Sequence, residues 1–427
     1  MTMPDTASRV RLDCATRRLA NGMLVIVCPD PAQSVAAVHL RYLVGSKHER
    51  PGRTGLAHLF EHLMFTGSPG AADGEHARLI QQAGGFANAA TSMDSTSYFE
   101  TVPSGALELV LWLEADRLAG LPDALDQRIL DVQRDVVKNE RRQTMDTVPY
   151  GTALELLVAA LFPAGHPYHH LPIGSMADLD SASLDDARAF FETFYSPDRA
   201  VLTVVGQVEA ETTFAWAERY FGGISRRGQA PLLVTAPRIP DGDEIRMTMT
   251  SDAPPKVFLA HRLPPAGTTA LDAAVLAAAV LARGTAGVLS RGLVRGRALA
   301  AETTFDVVPL AGDASLGVVR LTPRGGTGPS VLERACQAEL ETLAETGVCQ
   351  RDLDRAIAQL EAGWLSRLDL GRGKAEELSW HAMLTGSPES ASEVMARIRA
   401  VPAREVADAI SALADRSRRV VLTYQPA

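Results

Sequence analysis

At 427 residues the chain is long enough for two or more domains, each with its own core. Hydrophobic residues at 46% and charged residues at 22% exclude a disordered chain or a fibre. A net charge of −9, with no basic stripe to offset it, argues against a nucleic-acid partner.

Residues 1–18 carry no apolar core of about 7–15 residues, so no signal peptide is expected. The longest apolar run, 270–282, contains Asp272 and is too short to span a bilayer. It is expected to be a core helix, and no membrane association is anticipated. Cys14, Cys28, Cys336 and Cys349 are scattered and form no Cys-x-x-Cys pair. They read as reduced thiols of a cytoplasmic protein.

Taken in order, 9–16 and 23–28 are expected to be strands joined across Ala20-Asn21-Gly22, a tight-hairpin sequence. Residues 35–44 form a third strand, and a Gly/Lys/Pro/Gly loop leads to a helix around residue 60. A second helix, about 75–83, is stopped by Gly84-Gly85. Short β segments follow at 86–92 and 96–103, then helices at 105–119, 125–145 and 152–162. A helix capped by Ser183 runs to about 195, followed by a buried strand at 199–205 and a helix at 209–221.

Residues 223–241, punctuated by Pro231, Pro237 and Pro240, read as a linker between domains 1–222 and 242–427. Beyond it the order repeats. Strands are expected at 244–250 and 256–262, helices at 271–282 and 288–295, and strands at 302–309 and 316–323. Helices at 329–346, 350–368, 375–384, 391–399 and 403–414 precede a closing strand at 419–424. Strands first, long helices next and a last strand back in the sheet describe an α+β architecture used twice. Each domain would be an antiparallel-rich mixed sheet packed against helices. The repeat is one of pattern, not of motif.

The first half alone contains His58-Leu59-Phe60-Glu61-His62. On a helix, His58 and His62 at i and i+4 share a face, and Glu61 points close to the same edge. Two imidazoles so placed can ligate one Zn²⁺, which as a catalytic centre needs one more protein ligand and a water. A carboxylate beside the ligands can take the proton of that water. The order reverses the commoner His-Glu-x-x-His and is the inverzincin signature. The plain alternative is two histidines and a glutamate on a solvated face. The apolar flanks Leu56, Leu59, Phe60, Leu63, Met64 and Phe65 instead suggest a helix buried nearly all round, in which these polar groups need a partner.

Spacing does not name the third ligand: Asp131, Asp135, Glu140 and Asp146 are all available near the long helix. Periodicity places Val132, Val136, Val137 and Glu140 on one face, which should turn Glu140 inward. The remaining possibility is that Glu140 belongs to the charged run 138–142.

Gly55-Leu56-Ala57-His58-Leu59-Phe60-Glu61-His62-Leu63-Met64-Phe65, Gly84-Gly85 followed by Asn88-Ala89, and Val136-Val137-Lys138-Asn139-Glu140 together resemble the insulinase/pitrilysin family of zinc peptidases. His166-Pro167-Tyr168, Ile173-Gly174-Ser175, Tyr195-Ser196-Pro197 and Val204-Val205-Gly206 agree. The resemblance spans essentially the whole chain and is sharpest in the first half. Its length matches the half-size branch that includes mitochondrial processing peptidase and bacterial heterodimeric subunits. It implies a half clamshell of two similar domains, one Zn²⁺ held by His58, His62 and Glu140, and Glu61 as general base. It also implies that Asn88, Ala89, Ala90 and Thr91 lie on an edge strand to which a peptide substrate adds. The plain reading of that stretch is an ordinary hairpin strand. His76, His166, His169 and His170 read as structural or surface histidines.

Two departures stand out. Where members often carry a second glutamate, two turns before the last ligand, this chain has Gln133, which can still bond a ligand from behind. Members that work alone also carry an arginine and a tyrosine in the second half, the tyrosine supporting the developing oxyanion. Val294 and Ala301 stand at those places, Arg295 and Arg297 read as surface cations, and Tyr424 is the sole tyrosine after Tyr220. The resemblance therefore implies a zinc endopeptidase subunit for small unfolded peptides, such as a precursor or leader peptide in pyrroloquinoline quinone or other natural-product maturation. Its partner would be a related subunit carrying Arg and Tyr. The alternative is a noncatalytic binding or assembly subunit, which would be expected to have lost the motif.

Overall fold

The computed structural model describes residues 10–228 and 242–426. Most of the 223–241 stretch expected to link the halves, namely 229–241, lies outside the described residues, as does the start of the first expected strand.

The first half runs β1 (Ala15–Arg18), β2 (Leu24–Pro29), β3 (Val35–Tyr42), α1 (Leu56–Leu63), α2 (Glu75–Gln82), β4 (Phe86–Thr91) and β5 (Thr96–Pro103). It continues with α3 (Leu107–Ala124), α4 (Gln127–Arg141), α5 (Ala153–Leu161), α6 (Met176–Ser181), α7 (Leu184–Phe194), β6 (Ala200–Gly206) and α8 (Ala210–Phe221). The second half holds β7 (Ile245–Thr250), β8 (Lys256–Leu263), α9 (Thr269–Ala282), β9 (Ala300–Val308) and β10 (Ser315–Pro323). Then come α10 (Pro329–Thr346), α11 (Gln350–Leu368), α12 (Gly371–Thr385), α13 (Val394–Ala400), α14 (Ala403–Ala414) and β11 (Arg419–Gln425).

The strands form a six-stranded sheet, β1-β2-β6-β3-β5-β4, and a five-stranded sheet, β7-β11-β8-β10-β9. Setting aside β1, the two orders correspond strand for strand. The sense of pairing corresponds as well: β2 with β6 and β7 with β11 are parallel, and the remaining pairs are antiparallel. A late strand (β6, β11) returns to the middle of each sheet. The duplicated α+β pattern is therefore real, although the second copy shares none of the His/Glu motif.

The chain separates into two compact units: 1–138 with 172–232 and 366–396, and 139–171 with 233–365 and 397–427. They depart from a single cut at the linker because each half lends one segment to the other's unit. In the first unit α12 covers β3 and β6 on one face. Ala37, His39 and Arg41 face that helix, and Ser379 of α12 accepts a hydrogen bond from Arg41 Nε at 3.1 Å and meets His39 Nδ1 at 3.2 Å. The opposite face of β3, Val38, Leu40 and Tyr42, belongs to a core shared with α1, α3, α7 and α8. In the second unit α5 covers β11 and β8, while α9, α10 and α14 pack the other face. Both central strands are consequently buried on two sides. The partition falls inside α4, between Lys138 and Asn139, yet α4 is one continuous helix.

Several local readings are corrected. β1 covers only Ala15–Arg18, residues 10–14 being outside any strand, and its register sets Ala15 opposite Val27. A helix missed in the sequence, α6, is only six residues long and starts on Ser175, whose hydroxyl accepts from Asp178 N at 3.1 Å. The expected helix at 288–295 is present, but it is wound as a π-helix over Ser290–Gly296. On α4, Leu130 and Val137 are buried, but Val132 and Val136 are exposed. The three valines span too wide an arc to enter one core together, so the inward stripe passes through Val137 only.

Candidate metal centre

Helix α1 begins on Gly55 at φ +91°, with no side-chain cap of its own. The carboxylate of Glu49 stands in, accepting from Gly55 N at 2.9 Å and Ala57 N at 2.7 Å, which satisfies two of the amides a helix start leaves open. Asp178 of α6 accepts from Thr54 N at 3.0 Å and from its hydroxyl at 2.5 Å. Gly174 packs against this same turn. A Cβ there would lie 2.4 Å from the Gly55 Cα, and its φ of +69° already favours glycine. The Ile173-Gly174-Ser175 stretch thus serves the site by fixing where α1 starts.

Leu56, Ala57, Leu59, Phe60 and Leu63 are buried, while His58, Glu61 and His62 are half-buried. The helix is therefore not buried all round as expected; its polar face is left open enough for a reactant to approach. The two imidazoles lie edge to face with ring centroids 4.9 Å apart. Glu140, half-buried on the last turn of α4, completes the cluster. One ligand atom each from His58, His62 and Glu140 falls within 4.8 Å of the others. Among the described residues Asp131, Asp135 and Asp146 join no such group with these histidines. Asp131 is paired with Arg134 at 2.5 Å, and Asp146 stands 3.6 Å from Arg141. Two neutral imidazoles and one carboxylate suit a divalent zinc chemically. Gln133 lies two turns before Glu140 on the same side of α4 and is half-buried.

Glu61 is held from the side by β4. The Thr91 hydroxyl donates to Glu61 Oε2, and Thr91 also faces Thr96 Oγ1 at 3.4 Å. β4 alternates, with Ala87, Ala89 and Thr91 half-buried and Phe86, Asn88 and Ala90 exposed. Among the described residues it pairs with β5 alone, and no strand lies along its other edge. The Asn88 side chain accepts from Ala89 N at 2.8 Å. Of the four residues expected on the substrate edge, Thr91 is thus engaged with the carboxylate, and Asn88 and Ala90 are the outward pair.

A second His/Glu cluster, not anticipated from the sequence, lies in the core of the first unit: His76 of α2, Glu100 of β5 and Glu114 of α3. Arg117, one turn after Glu114, is buried among them and bonds Glu114 through Nε at 2.9 Å and through Nη2. Its guanidinium also stacks over Tyr98 at 4.2 Å and Phe65 at 5.2 Å. Burial drives both carboxyls up, Glu114 to about 8, with Arg117 opposing and Glu100 reinforcing the rise. Burial and the Arg117 charge drive His76 down to about 4. The carboxyl pair therefore shares a proton at neutral pH, Arg117 balances the remaining charge, and His76 is neutral. A guanidinium already in place opposes a metal cation there. The sequence signal was the Glu114/Arg117 spacing of three inside the apolar run of α3.

In the second unit Val294 and Ala301 line an open cavity of about 320 Å³ with Ser290, Arg295, Thr303 and Thr304. Arg295 and Arg297 are both exposed, as expected, and Arg297 is tied to Glu339. His166 is buried, its ring tilted against Phe162 with centroids 4.8 Å apart, and stands 3.3 Å from Asp313. His169 meets the Phe162 carbonyl at 2.6 Å.

Comparison with known proteins followed the same division. A family model described as "Insulinase (Peptidase family M16)" matches residues 24–167, and one described as "Peptidase M16 inactive domain" matches residues 181–360. The Helicobacter pylori protein named "Zinc protease PqqE" is 29% identical over 365 residues, 82% of this chain and 79% of the relative. A Schizosaccharomyces pombe protein named "Probable mitochondrial-processing peptidase subunit beta" is 24% identical over 405 residues, covering 92% and 87%. The crystal structure of a protease from Helicobacter pylori superimposes with a TM-score of 0.87 at 24% identity, covering 97% of this chain and 100% of that one.

Proposed function

Because the chain belongs to the insulinase (M16) family of peptidases, as a member of its half-size branch, we propose that it is the catalytic subunit of a zinc endopeptidase. The observation that carries this reading is the convergence of His58, His62 and Glu140 beside a Glu61 held by Thr91. His58, His62 and Glu140 would hold one zinc. Bound there, zinc supplies a Lewis acid that lowers the pKa of a water and polarises a peptide carbonyl. Glu61 takes the proton of the attacking water and returns it to the leaving amine. Thr91 keeps the Glu61 carboxylate turned toward that proton, and Gln133 supports the cluster from α4. The open edge of β4, with Asn88 and Ala90 outward and Ala89 between them, receives the substrate as an added strand. Backbone pairing of this kind selects unfolded peptides and is loose about sequence. A precursor or leader peptide, as in the maturation of pyrroloquinoline quinone or another peptide-derived product, has the required chemistry. A cytoplasmic location, in keeping with the scattered cysteines, belongs to the same reading.

The second half supplies no tyrosine near Ala301, so the oxyanion donors are assigned to a related partner subunit carrying the Arg/Tyr pair. The Schizosaccharomyces pombe relative is named as a subunit, which supports pairing. A noncatalytic assembly role is disfavoured by the retention of all four site residues. The "inactive" description concerns 181–360, beyond the motif.

Peptide cleavage should be measured with the purified chain alone and with related chains encoded nearby, at constant zinc. Activity only in the mixture, abolished by Glu61→Gln in this chain while zinc is retained, is the expected result. Full activity of the Glu61→Gln variant would overturn the mechanism. Strong activity of this chain alone would overturn the divided site.

A further inference from the structure

The four cysteines look unrelated in sequence, but the first hairpin brings two of them together. Ala15 pairs with Val27, so the next step of the register sets Cys14 opposite Cys28. The alternation can be followed from the turn. Leu19 N donates to Met23 O, which makes that pair a hydrogen-bonded one. Counting outward, Arg18 and Leu24 form a non-hydrogen-bonded pair, as do Thr16 and Ile26; one step past the end of the ladder, Cys14 and Cys28 fall in the same class. Non-hydrogen-bonded partners have Cα atoms about 4.5 Å apart and their side chains closest, within the roughly 4.4–6.8 Å that a disulfide spans. Both side chains also point to one face. Cys28 follows Leu24 and Ile26 in the cluster under α12, and Leu12 and Cys14 pack against that same cluster.

We propose that Cys14 and Cys28 are a site of oxidative modification, closing to an intrachain disulfide when a peroxide reaches the first unit. Both are thiols in this structure, Cys14 half-buried and Cys28 buried. The Cys14 S–H beside Cys28 and the nearby Lys374 ammonium hold Cys28 below the ordinary thiol value against burial, while the same contact and burial drive Cys14 up. The scheme assigns Cys28 as the sulfur that attacks the peroxide and Cys14 as the one that closes the bond. Its sulfur attacks one peroxide oxygen, the O–O bond breaks, and the second oxygen leaves as water with a proton from solvent, giving a sulfenic acid. Cys14 then loses its proton and attacks the Cys28 sulfur, the S–O bond breaks, and a second water leaves. Each sulfur gives one electron, and hydrogen peroxide is reduced to two waters. The product fastens the exposed edge strand β1 to β2 and is reopened by a dithiol.

The test uses the full chain treated with dilute hydrogen peroxide, quenched by alkylation and mapped by mass spectrometry without reduction. The expected result is a cross-linked pair of peptides containing Cys14 and Cys28, lighter by two hydrogens, with two of the four thiols lost and recovered by dithiothreitol. In Cys14→Ser the cross-link disappears and a dimedone adduct appears on Cys28, the intermediate the scheme requires. Cys14 and Cys28 remaining alkylatable while exposed Cys349 oxidises would overturn the proposal. So would oxidation of Cys28 to the sulfinic acid in the unsubstituted chain without any cross-link.

Discussion

Replacing Glu100 by glutamine should stabilise the protein, by an amount that grows with pH. Glu100 and Glu114 are fully buried, and with Glu114 titrating near 8 the pair keeps at neutral pH a proton that the unfolded chain has released. A carboxyl whose folded pKa is raised contributes its full stability below the unfolded value and loses it as pH climbs toward the folded value. Each pH unit above roughly 4.3 therefore costs about 1.4 kcal/mol. The penalty is about 1 kcal/mol at pH 5, about 3–4 kcal/mol at pH 7, and level above about pH 8. Glutamine is already neutral, its amide can donate to Glu114, and the Glu114–Arg117 fork is left whole. Urea unfolding followed by tryptophan fluorescence at pH 4.5, 5, 6 and 7 gives the difference between variant and parent. With about 1 kcal/mol lost at every pH to imperfect amide packing, it should disfavour the variant by about 0.5–1 kcal/mol at pH 4.5 and favour it by about 2–3 kcal/mol at pH 7. A variant less stable than its parent at pH 7, or a difference that does not change with pH, would refute the shared-proton account.

Thr91→Val removes the hydroxyl that orients Glu61; a hydrogen bond to a charged group is worth about 1.5–3 kcal/mol. Steady-state kinetics of the assembled enzyme should show kcat lower by roughly ten- to a hundredfold with KM nearly unchanged; a change confined to KM would instead mark Thr91 as a substrate contact. Glu140→Gln should lose zinc during dialysis that leaves the parent loaded, as read by elemental analysis, and equal retention would remove Glu140 from the ligand set. Gly174→Ala places a methyl into the Gly55 backbone at a positive φ. A loss of about 2 kcal/mol or more, with weaker zinc retention, is expected from thermal unfolding and metal analysis; an unchanged melting temperature would show that this approach is relaxed.

The elements most legible in the sequence were those with strong local punctuation. α10, α11 and α14 have the limits that proline, glycine and apolar periodicity suggested, and Ser183 caps α7 as expected. The His/Glu cluster was legible because its spacing is local on α1 and the resemblance supplied Glu140. What failed to show in the sequence depended on long-range placement. Val132 and Val136 satisfy a helical period yet face outward, since periodicity alone cannot tell which arc of a helix meets a neighbour. Nothing local in the sequence joins Glu100 of β5 to Arg117 of α3; only the fold brings them within 3.6 Å. Cys14 and Cys28 become partners only once the turn at Ala20-Asn21-Gly22 fixes the register.

The exchange of α5 and α12 bears on how this chain can be cut or copied. A fragment ending at residue 222 would contain every proposed metal-site residue, yet it would expose Ala37, His39, Arg41, Val201 and Val205, the sheet face that α12 covers. A fragment starting at 242 would lack α5 and bare β8 and β11 in the same way. Neither fragment would have its sheet covered on both faces. A truncation meant to keep the metal-site residues should therefore also keep 366–396, the segment that closes their sheet.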